Sequence, residues 1–420
     1  MDTATRIRTA ESVLAPFTHR TGVTGPAGAE RRYLWTDAFA VRTLLSLHRL
    51  TGNPRHLASA LRLVDLVHQV LGRYREDDER VGWISGLPPE EGHRHPTRGG
   101  LRIGKPLAER RPGDTMDERL EWDRDGQYFH YLTRWMDALA HLARDTEDHE
   151  VLRQAIELAR AAWCGFARRT PRGEVILHWK MSTDLARPVV ASTGRHDPLD
   201  GLASMTAIEA TRRRLGADDL PDLAAERAGL LAMCRGRSWA CGDELGLGGM
   251  LMTAAVLVDA VADGVFDDGE LIDEVLLDAS RGLRMLAGLQ RAAEPPRRRL
   301  PFRELGLAIG LSAIGVVPEA VQRCPGRFTG RRTLLVREQE IAVHAPMGDA
   351  IRRDWLDPVH QRSPTWRDHE DINTVMLAAS LLPDPGLGGI TDPWTGLDGA
   401  AAPAPASTMN EAASSARERT

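Results

Sequence analysis

Apolar residues along this chain recur mostly at three- and four-residue steps, the spacing that sets them on one face of a helix. Between 126 and 144, Tyr128, Tyr131, Leu132, Trp135, Leu139 and Leu142 form such a stripe. Val41, Leu44, Leu45 and Leu47 do so over 37–50, and Leu57, Leu61, Val64 and Leu71 over 57–71. The same patterning predicts helices near 3–15, 149–168, 199–215, 221–234, 249–263, 270–290, 303–316 and 367–382. Strand patterns are few. "EVILHWKM" (174–181) and "RTLLVREQEIAVHA" (332–345) read as small hairpins at one end of the molecule.

The helices come in pairs, and the pairs repeat. "TGNPRHLASALRL" from Thr51 aligns without gaps on "TEDHEVLRQAIEL" from Thr146, matching Leu57 with Leu152, Ala60 with Ala155 and Leu63 with Leu158. "ADDLPDLAAERAG" is a weaker third copy, with Leu223 in the Leu57 position. Repeated helix pairs imply a solenoid or a closed toroid. The long, uneven connections over 73–125 and 170–197 favour closure. Residues 1–397 are expected to form one toroid domain, and the Ala/Pro/Ser-rich stretch 398–420 a disordered tail.

Each predicted inner helix is preceded by a loop that joins a Trp to carboxylates. Trp35 stands with Asp37; Trp122 with Asp123, Asp125, Tyr128 and His130; Trp179 with His178, Arg187, His196, Asp197 and Asp200. Trp239 stands with Asp243 and Glu244, and Trp366 with Arg367, His369, Glu370 and Asp371. For any one acid the plain reading is a helix cap, whose oxygen accepts first-turn N–H groups and meets the positive end of the helix dipole. The conjunction says more. Aromatic residues make up 5% of the chain, yet five of its ten Trp stand in these loops. In a closed ring the loops converge on one funnel, where flat apolar faces beside carboxylates suit a sugar. Two carboxyls across it could cleave a glycosidic bond, one of them titrating high among apolar neighbours.

The segments "YLWTDAFAVRTLLSLHRLTGNPRHLASALRLVDLV" and "EWDRDGQYFHYLTRWMDALAHLA" resemble helix pairs of the six-hairpin glycosidase-like superfamily. "TGNPRHLASA" is similar to the turn and outer-helix start of unsaturated-uronyl hydrolases and of N-acylglucosamine 2-epimerase-like proteins. The resemblance spans roughly 33–382 in pattern. It implies an all-α (α/α)6 toroid of helical hairpins with small β-hairpin insertions. It implies carboxylate chemistry if the chain is a hydrolase and paired histidines if it is an epimerase.

The net charge of −5 leaves no electrostatic footprint for nucleic acid or a membrane surface. The first seventeen residues lack the basic and apolar regions of a signal peptide, and no apolar run was expected to reach membrane-spanning length. Cys164, Cys234, Cys241 and Cys324 are scattered, which fits a reducing cytoplasm. His93 and His95 have no obvious third ligand, so neither a metal nor another cofactor is expected. "ELGLGG" (244–249) follows no strand and reads as a place where an inner helix starts close to its neighbour, not as a phosphate cradle.

The leading expectation is a glycoside hydrolase acting on a small carbohydrate. Asp123 or Asp125 would face Glu370 or Asp371 as acid and base, with His196 and His369 as further catalytic groups. Trp35, Asp37, Trp122, Tyr128, His130, His178, Trp179, Arg187, Asp197, Asp200, Trp366 and Arg367 would bind substrate. The first alternative is a sugar epimerase or isomerase using histidine acid/base pairs. The second is a non-catalytic ligand- or protein-binding toroid.

Overall fold

A computed structural model describes residues 1–26, 32–288 and 294–382. The predicted tail, and the last residues of the helix predicted over 270–290, lie outside them. In chain order the helices are α1 (Thr3–Arg20), α2 (Leu34–Thr51), α3 (Pro54–Leu71), α4 (Pro89–Arg94), α5 (Glu118–Asp123), α6 (Phe129–Thr146), α7 (His149–Phe166) and α8 (Asp197–Arg214). They continue with α9 (Ala224–Cys234), α10 (Glu244–Ala262), α11 (Gly269–Gly288), α12 (Pro301–Ala313), α13 (Val316–Arg323), α14 (Arg331–Ala342), α15 (Ala345–Leu356), α16 (Pro364–Arg367) and α17 (Glu370–Leu381).

Six of these form an inner ring. α2 packs on α6, α6 on α8, α8 on α10, α10 on α12, α12 on α17, and α17 returns to α2. Around them α3 backs α2, α7 backs α6, α9 backs α8, α11 backs α10 and α15 backs α12. The last inner helix is backed by the first helix of the chain, α1, so the first and last described helices close the circle. This is an all-α (α/α)6 toroid.

The repeat seen in the sequence is a repeat of joints. Thr51 and Thr146 each end an inner helix and donate their hydroxyl to the carbonyl four residues back, at 2.6 and 2.7 Å. The next residue, Gly52 or Glu147, turns left-handed with φ of 65° and 53°. Asn53 and Asp148 then cap the outer helix by accepting first-turn N–H groups. Ala60, Leu63, Ala155 and Leu158 are fully buried, pressing each outer helix onto the ring.

Outer helices such as α3 and α7 are two-sided, apolar inward and polar outward. Inner helices α8 and α10 are buried around most of their circumference. By length and composition alone, α10 and the stretch Pro301–Arg323 are long and apolar enough to cross a bilayer, contrary to the expectation that no run reaches that length. Both are mostly buried within the protein.

α10 and α12 approach so closely that a Cβ on Gly248 would lie 2.2 Å from the Gly306 carbonyl oxygen, and one on Gly310 would lie 2.5 Å from that of Gly248. Gly248 of "ELGLGG" therefore serves helix contact.

Two strand expectations change. Residues 331–342 are helix α14, with Leu334 and Ile341 as its buried contacts. The 174–181 segment is extended but does not fold on itself. β3 (Val175–Leu177) pairs antiparallel with β2 (Ala167–Arg169), while β4 (Lys180–Met181) pairs with β1 (Gln127–Tyr128). The second pairing fastens the long 170–197 connection to the mouth of α6.

Candidate functional site

The inner helices bring their N-termini to one end, and a cavity of about 750 Å³ opens there. Trp35 of α2, His130 and Arg134 of α6, Asp197 and Asp200 of α8, Asp243, Leu245, Gly246 and Gly249 at the start of α10, and Arg303 of α12 all line it. Trp179, Arg195 and His196 reach it from the long connection. The wall is therefore aromatic on one side and ionisable on the other.

Trp179, Tyr128 and His130 form a stack. Trp179 and Tyr128 have ring centres 4.7 Å apart and His130 lies nearly parallel to Trp179 at 6.1 Å. The edge of Tyr131 meets the His130 ring at 4.8 Å. Burial among these rings, with the Arg134 guanidinium nearby, pulls the His130 pKa down to about 4, partly opposed by Asp200. The imidazole is neutral at neutral pH.

Asp197 sits in the first turn of α8, with its Oδ1 3.9 Å from His130 Nδ1. Burial, reinforced by the neighbouring Asp200 carboxylate, raises its pKa well above the usual range and favours the protonated form. Asp200 Oδ1 accepts from Arg134 and from the Thr253 hydroxyl, both at 2.8 Å. His130 Nδ1 and Asp197 Oδ2 are buried and have no hydrogen-bond partner among the described residues.

On the next helix Asp243 caps α10 through Gly246 N–H and accepts from Arg303 at 2.9 Å. Those bonds, with one from Cys241, hold its pKa below the usual value despite partial burial. His196 lies 3.3 Å from the Trp239 carbonyl oxygen through Nε2. Below the cavity floor Arg42 and Asp137 form a buried ion pair.

The other expected site residues lie elsewhere, and local bonding says why. Asp125 is fully buried and is tied to Arg102 at 2.5 Å and to the Gly104 and Gly126 N–H groups, so it holds two loops together. Asp123 is exposed and contributes its backbone carbonyl to Leu107. Glu370 and Asp371 are exposed and paired with Arg20 of α1 at 3.3 and 2.6 Å. They cannot face Asp123 or Asp125 across this cavity. Asp37 is buried against Arg32 and the Tyr33 N–H, and burial raises its pKa to about 6.

Trp366 stacks on Trp355 in the outer layer, 6.0 Å away. Arg367 is exposed, and exposed His369 rests against Phe302. Arg187 reaches the Arg110 carbonyl and braces the loop beside it. His178 is half-buried, its pKa lowered by burial and by Arg168. His93 and His95 bond Gln69 and Glu157, and among the described residues no cluster of acids, histidines or cysteines has metal-binding form.

Arg134, Arg303 and Cys241 were missed in the sequence. Arg134 could have been found as the residue one turn beyond His130 on the same face. Arg303 follows the one inner-helix mouth without a nearby Trp.

A larger groove, about 860 Å³, lies on the outer layer along α11 and the start of α14, among Asp267, Asp268, Glu270 and Asp273. It receives none of the aromatic rings described above.

No protein-family model matches the sequence, and no curated protein does. Among solved structures, the chain is similar to a sugar epimerase from a ruminal bacterium, with TM-score 0.44, 11% identity, and 81% of this chain and 86% of that chain covered. It is similar to a cellobiose 2-epimerase from Spirochaeta thermophila, with TM-score 0.45, 12% identity, and 89% and 98% covered. A cellobiose 2-epimerase from Bacillus thermoamylovorans gives TM-score 0.44, 10% identity, and 82% and 87% covered. No correspondence of residues follows from identities this low, and the roles assigned to the pocket's side chains rest on its own geometry.

Proposed function

We propose that the protein is a carbohydrate-active enzyme, and that it epimerises or isomerises a sugar by moving a proton beside the carbonyl. One observation carries this reading: a buried imidazole and a buried carboxyl, His130 and Asp197, stand 3.9 Å apart in an aromatic-walled cavity, each with an unsatisfied buried atom. Abstraction of a proton next to a carbonyl needs a base to take it and an acid to support the oxygen as charge develops. His130 is the base, and the Asp197 carboxyl donates to the carbonyl oxygen. His196, adjacent to Asp197, supplies a second imidazole to return the proton. Trp35 and Trp179 cover the apolar faces of the ring, and Arg134, held by Asp200, offers N–H groups to hydroxyls.

Glycoside hydrolysis is the second reading. Asp197, with its pKa raised by burial, and Asp243 on the neighbouring helix, with its pKa lowered by its hydrogen bonds, have the unequal titration that an acid/base pair requires. Proton NMR in D2O with free sugars and disaccharides separates the two. Deuterium entering beside the carbonyl without cleavage supports epimerisation, and new reducing ends support hydrolysis. Binding without either reaction supports a non-catalytic toroid.

A further inference from the structure

The wall of the cavity does not end at Trp179. Trp122, on the short helix α5, meets Trp179 edge to face with ring centres 5.2 Å apart and remains 58% exposed. It extends the aromatic wall of the cavity outward as an accessible indole. The segment that carries it is not a loose turn. Lys180 is fully buried beneath it, and its Nζ donates to the carbonyl of Glu121 at 2.7 Å, to the carbonyl of Arg124 at 2.9 Å and to the Glu121 carboxylate at 3.1 Å. Glu121 also accepts from Arg110, whose guanidinium extends to the Val189 carbonyl. Burying an ammonium group is costly unless every donor is used. Here that cost goes into fixing the residues on both sides of Trp122.

We propose that Trp122 is a platform for a second sugar ring, so that the cavity takes the end of a disaccharide or longer saccharide whose next ring lies over Trp122. This rests on the carbohydrate reading above. The first ring enters beside Trp179, and the second lies outside the cavity, where Trp122 is exposed. Lys180 is a positioning residue that touches no sugar.

The test is an NMR titration of the full chain with glucose, maltose and cellobiose, using wild type, Trp122→Ala and Trp122→Phe, alongside deuterium incorporation in D2O. Trp122 is exposed, so its replacement leaves the fold intact, and the glucose titration checks this. One disaccharide should bind wild type about tenfold more tightly than glucose. Trp122→Ala should lose that advantage with glucose affinity unchanged, and Trp122→Phe should restore most of it. A disaccharide advantage that survives Trp122→Ala, or equal binding of glucose and both disaccharides, overturns the platform even if deuterium enters. A Trp122-dependent advantage without deuterium exchange upholds the platform and rejects the epimerase reading. No binding by any of the three sugars rejects the platform for these saccharides and counts against the carbohydrate reading with it.

Discussion

His130 Nδ1 and Asp197 Oδ1 face each other at 3.9 Å from two different inner helices, too far for a hydrogen bond and too close for an intervening water. Their environments push them toward the same neutral pair, the imidazole down to about 4 and the carboxyl well up. If they are base and acid, the rate should rise with pH through about 4, as His130 loses its proton, and fall at the higher pH where Asp197 ionises. His130→Gln should lower kcat by about a hundred- to ten-thousand-fold. Asp197→Asn keeps an N–H donor, so it should retain more activity and lose the alkaline limb. A pH profile of deuterium exchange checks both, and an unchanged alkaline limb in Asp197→Asn would count against the assignment.

The carboxylates first expected to react should behave differently. Glu370→Gln and Asp371→Asn remove exposed pairs with Arg20 and should leave turnover within about twofold and stability nearly unchanged. Asp125→Asn leaves Arg102 buried beside an uncharged partner, at a cost of about 3–5 kcal/mol. Thermal melts beside activity assays read both, with Asp125→Asn losing Tm first and activity only as the protein unfolds.

The ring was legible in the sequence because two hairpins repeat a whole joint, from Thr51 or Thr146 through the cap to the buried Ala and Leu of the outer helix. The mouth of the funnel was legible because Trp and acids gather where inner helices begin. The choice among the acids was not. Whether a carboxylate is free depends on which guanidinium reaches it, and Arg20 lies 351 positions from Asp371. Helix α14 was hidden for another reason. It lies in the outermost layer and buries only Leu334 and Ile341, so its apolar pattern is too sparse to show a helical period.

The glycines between α10 and α12 give a stability prediction. Gly310→Ala would put a methyl group 2.5 Å from the Gly248 carbonyl oxygen, and backbone cannot yield as a side chain does. The helices must separate, at about 1–3 kcal/mol. The urea midpoint should fall accordingly. Gly326→Ala, which meets nothing within 4 Å, is the control and should leave it unchanged or slightly raised.

The two repeated joints differ at one residue, and the difference is testable. Glu147 holds φ of 53° where its counterpart is Gly52, and a side chain in that region carries strain of about 1–2 kcal/mol. Glu147→Gly relieves it while giving the unfolded chain more freedom, for a net gain of about 0.5 kcal/mol. Gly52→Ala should do the reverse, losing about 1 kcal/mol although its new methyl group would touch nothing within 4 Å. Opposite shifts in Tm for the two variants would identify backbone conformation as the cause.

Acid sensitivity follows from the buried histidines. His68 Nε2 accepts the Trp135 indole N–H at 3.1 Å, and burial lowers its pKa to about 3 from an ordinary 6.5. Between those values the unfolded chain binds a proton that the folded chain refuses. Stability therefore rises with pH across that window and is lost as pH falls from 6.5 toward 3. His68→Gln keeps an acceptor for Trp135 but does not titrate. Between pH 7 and pH 5 the wild type should lose about 2 kcal/mol more stability than this variant, read from urea midpoints. His130 and His141, also lowered by burial, titrate in both proteins and cancel in the comparison. Parallel pH dependences for the two proteins would mean that His68 accepts a proton in the folded state as readily as in the unfolded one, and that the Trp135 bond does not require the neutral ring.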